Sequence, residues 1–354
     1  MSPSARARIR MTALSSGKHN VMSSYLLNPD DEYPHPPSAE PHFNESVYMN
    51  AFDHERRWGG WMRLGNRAHE GYAELAVCLY LPDGRIACQF QRPRITDNTR
   101  FAAGGLEVTV QTPLQALTMV YRGELMLVSD PAWFRDPKTL FARAPRVTAS
   151  VHWAHRGVSP VHGGLPVNET QETLYGRNFS LGHFNQHTAV VGSLRLGDET
   201  WRFDGHGWRD HSWGPRLWQN ILFDRLYMAN FGARHGLMLL KIANGDGQVR
   251  RGGVLQVDGE YEEITDLDIF NEWSDRRDPV SFRLGVRTAR RTAQIEGRVI
   301  SCAPLRNRRE INGTMVESRI AECFTEYTWG GMTGYGMTEY VEVLRDGVPC
   351  GYPL

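Results

Sequence analysis

Five short turn signals punctuate this chain, and they restrict it to a β-rich fold. Pro82-Asp83-Gly84, Gly197-Asp198, Asn244-Gly245-Asp246-Gly247, Asp258-Gly259 and Asp346-Gly347 each separate two runs rich in β-branched and aromatic residues. Asp-Gly and Asn-Gly pairs tolerate the positive φ that tight hairpin turns demand. Segment 73–91 shows the pattern. Leu75, Val77 and Leu79 alternate with Glu74, Ala76 and Cys78 up to the Pro-Asp-Gly turn, and Ile86, Cys88 and Phe90 carry the return. Similar alternation predicts strands at 106–110, 119–128, 147–153, 189–196, 236–242, 251–257, 292–299, 315–327 and 338–344. Helical periodicity is scarce, with short helices expected only at 131–140 and around 215–223. The fold class is therefore all-β and mainly antiparallel, as barrels or sandwiches with a few short helices.

The 354 residues suffice for two domains. The expected division is an extended or disordered segment over 1–40, one domain over 41–200 and a second over 201–354. Forty basic side chains balance 40 acidic ones, so the charge offers nothing to nucleic acid. No apolar run approaches the ~20 residues of a membrane span, and 2–24 lacks the apolar stretch of a secretory signal. The five cysteines (Cys78, Cys88, Cys302, Cys323 and Cys350) are few and scattered. They read as reduced thiols in a cytoplasmic protein, although Cys78 and Cys88 could face one another across their hairpin. No stable membrane insertion is expected, and the chain reads as a monomer or homodimer.

Segment 205–218, GHGWRDHSWGPRLW, packs one carboxyl, two histidines, two arginines and three tryptophans among three glycines and a proline. The glycines and Pro215 rule out a smooth helix, and three indoles rule out an ordinary solvated loop. The reading is a kinked segment that carries Asp210 along an apolar cavity. A carboxyl against indole walls is desolvated and holds its proton toward neutral pH. The competing reading pairs Asp210 with Arg209, Arg216 or a backbone N–H, which would lower its pKa. Arg209 and Arg216 themselves read as structural, paired with acids of the second domain.

Gly205-x-Gly207-Trp208-x-Asp210-His211-Ser212-Trp213-Gly214 resembles the signature of the carotenoid 1,2-hydratases (hydroxyneurosporene synthases). That wider superfamily includes AttH-like proteins and the lipocalin-like cyclases and Diels–Alderases. Asn44-Glu45-Ser46, Leu81-Pro82-Asp83-Gly84 and Gly334-Tyr335-Gly336-Met337-Thr338-Glu339 support the resemblance, which spans roughly 40–350. It implies two lipocalin-like β-barrels packed together around an apolar cavity. It also implies chemistry without an organic cofactor: addition of water to an isoprenoid alkene, its reverse, or a cyclisation. The family carboxylate falls on Asp210.

Such chemistry needs a strong acid and a lining that tolerates a tertiary carbocation. A desolvated carboxyl supplies the proton, and aromatic faces supply about 0.5–2 kcal/mol per ring through cation–π attraction. Asp210 is the candidate acid, with His211 and His206 as orienting or water-holding bases. Trp208, Trp213 and Trp218 are candidate walls. Glu322 and Glu326, on one face of a strand, are candidate second acids; Glu45, Trp329, Tyr335 and Glu339 could also line the cavity. His183 with His187, and His152 with His155, have spacings compatible with metal ligands but sit in no zinc signature, so no metal is expected. Ser159, Ser180 and Ser212 lack a nucleophile elbow, and no dinucleotide fingerprint or P-loop occurs. The function expected is a cofactor-independent hydratase or dehydratase acting on a small terpenoid-like apolar substrate. A non-catalytic carrier of an apolar ligand and a cyclase or isomerase are the alternatives.

Overall fold

Among the described residues the alternating segments form 21 strands in two antiparallel sheets. The structure is a computed structural model that describes residues 24–168, 171–218, 221–245, 247–311 and 313–354. The first sheet contains β1 (Tyr25–Leu26), β2 (Phe43–Asp53), β3 (Trp58–Arg67), β4 (Tyr72–Tyr80), β5 (Ile86–Gln91), β6 (Ala102–Ala103), β7 (Leu106–Thr112), β8 (Ala116–Val128), β9 (Arg146–Gly157), β10 (His162–Pro166), β11 (Gly182–Leu196) and β12 (Glu199–Pro215). The second contains β13 (Ile221–Asn230), β14 (Gly236–Asn244), β15 (Val249–Val257), β16 (Glu260–Trp273), β17 (Pro279–Thr288), β18 (Thr292–Ile311), β19 (Thr314–Trp329), β20 (Met332–Arg345) and β21 (Val348–Pro349).

Both sheets close. In the first, the order β11-β12-β2-β3-β4-β5-β8 returns through β9 to β11, an eight-stranded barrel. In the second, β13 through β20 run in sequence order and β20 pairs back with β13. Eight strands leave an interior that side chains can fill. Trp58, Trp153, Phe203 and Met62 fill the first barrel, and Tyr227, Tyr327, Phe282 and Leu284 fill the second. A third cluster, with Phe52, Tyr80, Trp208, Met228, Phe324 and Met337, lies between the barrels. The lipocalin-like all-β class expected from the sequence is the fold observed.

The hairpin signals work as their chemistry demands. Asp258 and Gly259 both have positive φ (56° and 91°), as do Asp346 and Gly347 (52° and 74°), the requirement of a type I′ turn. Of the Asn244–Gly247 signal, residue 246 lies outside the described residues. Cys78 and Cys88 are register partners across β4 and β5, and both are free thiols.

Three features differ from the sequence expectation. The sheets divide after Pro215, not at 200. The Gly197-Asp198 turn folds β12 back on β11 along its whole length, and β12 also pairs with β2, so the motif strand belongs to the first barrel. The helix expected at 131–140 is a 3-10 turn (Pro131–Arg135) followed by α1 (Pro137–Arg143), capped by Asp130 and Asp136. The one expected around 215–223 falls partly on residues 219–220, outside the described residues, and Ile221 already begins β13. Finally, residues 1–23 of the expected tail lie outside the described residues, but the stretch after them is built into the first barrel. Glu32 is buried, accepts a hydrogen bond from Leu114 N at 2.6 Å and pairs with Arg209. No helix among the described residues is long and apolar enough to cross a membrane.

Candidate active site

The motif strand presents two chemically different faces, because successive side chains of a strand alternate. Its glycines explain how it lies: a Cβ at Gly207 would stand 1.7 Å from Asn50 O, so only glycine lets β12 ride this close over β2. Asp210 and Ser212 point toward the second barrel. Their register partners share that face: Tyr48 and Ser46 on β2, and His183 on β11 opposite Ser212. A hydrogen bond joins His183 Nε2 to an Asp210 carboxyl oxygen, and Tyr175 packs edge-on against the His183 ring at 4.9 Å. Ser212 Oγ lies 3.0 Å from Ser46 Oγ.

The second barrel faces this wall with acids. Glu322 and Glu339 are direct register partners on β19 and β20. Asp224, opposite Val341, lies beside them on β13. Directly opposed like charges destabilise a sheet, so these carboxyls cannot all be ionised. Burial pushes Glu322 well above the ordinary carboxyl range, and neighbouring Glu339 and Asp224 push it further. Burial also raises Glu339; Asp210 adds to this, while Arg63 and Arg216 oppose it. Burial raises Asp224 well above its usual value, with Glu339 again adding and Arg225 opposing. Tyr80 Oη donates to the Glu322 carbonyl oxygen at 2.8 Å, fixing the strand that carries it. Burial, with Glu322, Glu339 and Asp210 adding, pushes the Tyr48 phenol well above its usual value.

Between the two walls lies a cavity of about 500 Å³, within the size range of small-molecule sites. Asp210, His183, Asp224, Glu322 and Glu339 line it, together with aromatic faces from Tyr48, Trp61, Tyr175, Phe179 and Trp218 and aliphatic ones from Leu226, Met228 and Ile320.

The structure thus brings together Asp210, Trp218, Glu322 and Glu339 from the sequence candidates and sends the others elsewhere. Trp208 shares the face of Asp210 but is sealed in the inter-barrel core, stacked on His187 and donating to Ala229 O at 3.0 Å. His206 contacts the rings of His54 and His187, and burial lowers its pKa. His211 and Trp213 occupy the opposite face of β12, as alternation requires. Trp213 stacks on His35 at 4.1 Å, and His211 Nε2 lies 2.9 Å from Glu45 Oε1. Glu45 is fully buried there and does not reach the cavity. Glu326 sits at the rim of β19, paired with Arg298 at 2.9 Å and accepting from Tyr335 Oη. Trp329 packs in the second barrel against Phe231 and His235. The arginines also differ from expectation. Arg209 pairs with Glu32 of the N-terminal stretch, and Arg216 lines the cavity.

His183, Asp224 and Arg216 are the residues that sequence reasoning missed. In the sequence His183 reads only as a possible metal partner of His187, whose ring instead meets Gln256 and Trp208. Asp224 carried a usable signal: an acid at period two with Leu226 and Met228. Among the described residues, His35, Glu45 and His211 place ligand atoms within 4.8 Å of one another. Their geometry suits a cation, but the Glu45 carboxylate already accepts from His35 N and Asn98 Nδ2 and meets both imidazoles.

The sequence family described as Domain of unknown function (DUF7064) matches residues 28–343. No curated protein matches the sequence. Among solved structures, an AttH-type protein from Nitrosomonas europaea is similar with a TM-score of 0.58 at 14% identity, over 95% of this chain and 100% of its own. CghA crystallised with Sch210972 is similar at 0.56 and 13% identity, covering 94% and 98%. Kievitone hydratase from Nectria haematococca is similar at 0.54 and 10% identity, covering 84% and 88%. At such identities the likeness is one of fold.

Proposed function

The chain belongs to the DUF7064 family, and for it we propose a cofactor-independent hydratase or dehydratase that moves a proton and a water across an apolar alkene or tertiary alcohol of isoprenoid type. One observation carries this reading: three mutually facing carboxyls with raised pKa line one wall of an aromatic cavity, opposite a hydrogen-bonded Asp–His pair. A carboxyl that keeps its proton near neutral pH is a general acid. Glu322 holds the proton and Glu339 passes it to the alkene carbon, leaving a tertiary cation. The faces of Trp218, Tyr48 and Trp61 stabilise that cation. A water held by Asp210 and His183 forms the new C–O bond, and its proton goes to that pair. Dehydration runs the same steps backwards.

Asp210, read from the sequence as the acid, takes the complementary role because His183 is its partner. The motif's resemblance to carotenoid 1,2-hydratases supports the isoprenoid class. The name of one structural neighbour, kievitone hydratase, also leans this way.

The test is solvent-deuterium incorporation into a panel of isoprenoid alkenes and tertiary alcohols, read by gas chromatography and mass spectrometry. Glu339→Gln and Asp210→Asn should each lower the rate by about 10²–10⁴-fold. No label in any panel member with the unaltered protein would leave only a carrier of apolar ligands.

A further inference from the structure

At the end of β12 the cavity wall carries a cation that has no ion-pair partner among the described residues. Arg216 is 8% exposed and lines the cavity. Its Nη2 donates to Ser212 Oγ at 2.6 Å, while its buried Nε has no hydrogen-bond partner among the described residues. The guanidinium lies 4.0 Å over the Phe179 ring and 5.5 Å from that of Trp218. Its neighbours do not neutralise it. Arg63 and Arg67 share Glu74, at 3.1 and 3.0 Å, and Arg67 also takes Glu70. That leaves three guanidiniums to two carboxylates. Asp210 is held by His183. Among the described residues Arg216 therefore has no ion-pair partner. Burial, reinforced by Arg63, pulls its pKa down to about 9, and the more distant Asp210 and Glu74 offset this only in part.

A buried unpaired charge is costly, and a guanidinium edge matches the planar geometry of a carboxylate. We infer that Arg216, with Ser212 beside it, is an anion subsite of this cavity, and that the substrate is an apolar skeleton bearing a carboxylate. The inference rests on the proposed function for the identity of the cavity as the substrate site. It adds an orientation. Ser212 lies two residues beyond Asp210 on one strand face, about 7 Å away. The carboxylate held there places the reacting alkene about that distance along the skeleton, at the Asp210 end.

The experiment titrates the intact protein at pH 8 with geranate and with geraniol, which share a skeleton and differ in the anionic group. Calorimetry should show geranate binding at least 10-fold more tightly. Arg216→Met should bring the two within 2-fold of each other. Arg216→Lys should keep part of the preference. Ligand-free Arg216→Met should melt at or above the temperature of the unaltered protein, since it removes an uncompensated charge; a structural arginine would give a fall. Equal affinities, no geranate binding, a preference that survives in Arg216→Met, or a lowered melting temperature with both ligands lost would each overturn the inference. Glu339→Gln separates the two ideas. It should lose hydratase activity yet keep the geranate preference; hydratase activity undiminished in Glu339→Gln, or missing from the unaltered protein, beside an intact preference sinks the proposed reaction and spares the subsite.

Discussion

Replacing Glu322 by glutamine should stabilise the protein progressively as pH rises. In the unfolded chain this carboxyl titrates near its ordinary value of 4.5, whereas burial and the two neighbouring acids raise it well above that in the native state. Native Glu322 therefore holds a proton that the unfolded chain has lost. A raised carboxyl contributes stability fully below 4.5, and that contribution is lost as pH climbs toward the native value. Over the interval the loss is about 1.4 kcal/mol per pH unit. A glutamine side chain has nearly the same shape, donates to Glu339 as the protonated acid does, and titrates in neither state. Groups remote from the acid wall are common to both proteins and cancel in the difference, while Glu339 and Asp224 titrate together with Glu322 and contribute to it. The unfolding free energy of Glu322→Gln minus that of the unaltered protein should thus rise by about 1.4 kcal/mol from pH 5 to pH 6. It should keep rising until the acid wall ionises, and the pH at which it levels off marks that ionisation for the coupled carboxyls together. Urea titrations monitored by tryptophan fluorescence at half-unit pH steps give the curve. A difference that stays flat between pH 5 and pH 7 would show that Glu322 ionises normally, and the acid wall would lose its basis.

Three further outcomes follow from the geometry. Glu342 is wholly buried in the second barrel between Arg225, at 2.8 Å, and Arg319; Glu342→Gln leaves two guanidiniums without their carboxylate and should cost roughly 3–5 kcal/mol in denaturant titration. Gly207→Ala forces a methyl group into Asn50 O and should destabilise by more than about 2 kcal/mol, with lost amide protection in β2 and β12 measured by hydrogen exchange. His35 is drawn down by burial, but hydrogen bonds to Asp31 and Glu45 outweigh this and raise it to about 9. Its stabilising effect is complete below 6.5 and fades as pH rises through about 9, so His35→Gln should flatten the alkaline decline in stability over that window.

How much of this was legible depended on whether one strand or two had to be known. The strands themselves follow from alternation, and the turns from Asp-Gly chemistry, because both signals are local. That Asp210 and His211 point to opposite faces follows from extended geometry alone. The opposition of Glu322 and Glu339 does not, because it depends on the register between β19 and β20, which is set by their hairpin and by the packing of both strands. Trp208 and Trp213 show the limit from the other side. Parity puts Trp208 with Asp210, but depth along the strand puts it in the packed core, and parity puts Trp213 behind the wall. The division at 200 failed because a 17-residue strand looks like a new beginning until its two neighbours in the first barrel are known.

The position of the acids between the barrels is itself an argument about mechanism. Each barrel closes on itself and packs its own interior largely with tryptophan, tyrosine and aliphatic side chains. The outward faces of β2, β11 and β12 on one side and β13, β19 and β20 on the other carry the polar residues that line the cavity. On an isolated barrel those faces would be solvated. Docking removes that water, and the stacked rings of Phe52 and Phe324, 5.1 Å apart across the seam, mark where the two surfaces meet. Burial is the first cause of every raised carboxyl here, ahead of the neighbouring charges. The acidity of the wall therefore belongs to the pair of barrels and not to the strands that bear the residues. Any change that opens the seam should lower the pKa of Glu322 before it alters the register of a single strand, because solvation acts on the carboxyls directly while each barrel is held by its own closed ladder.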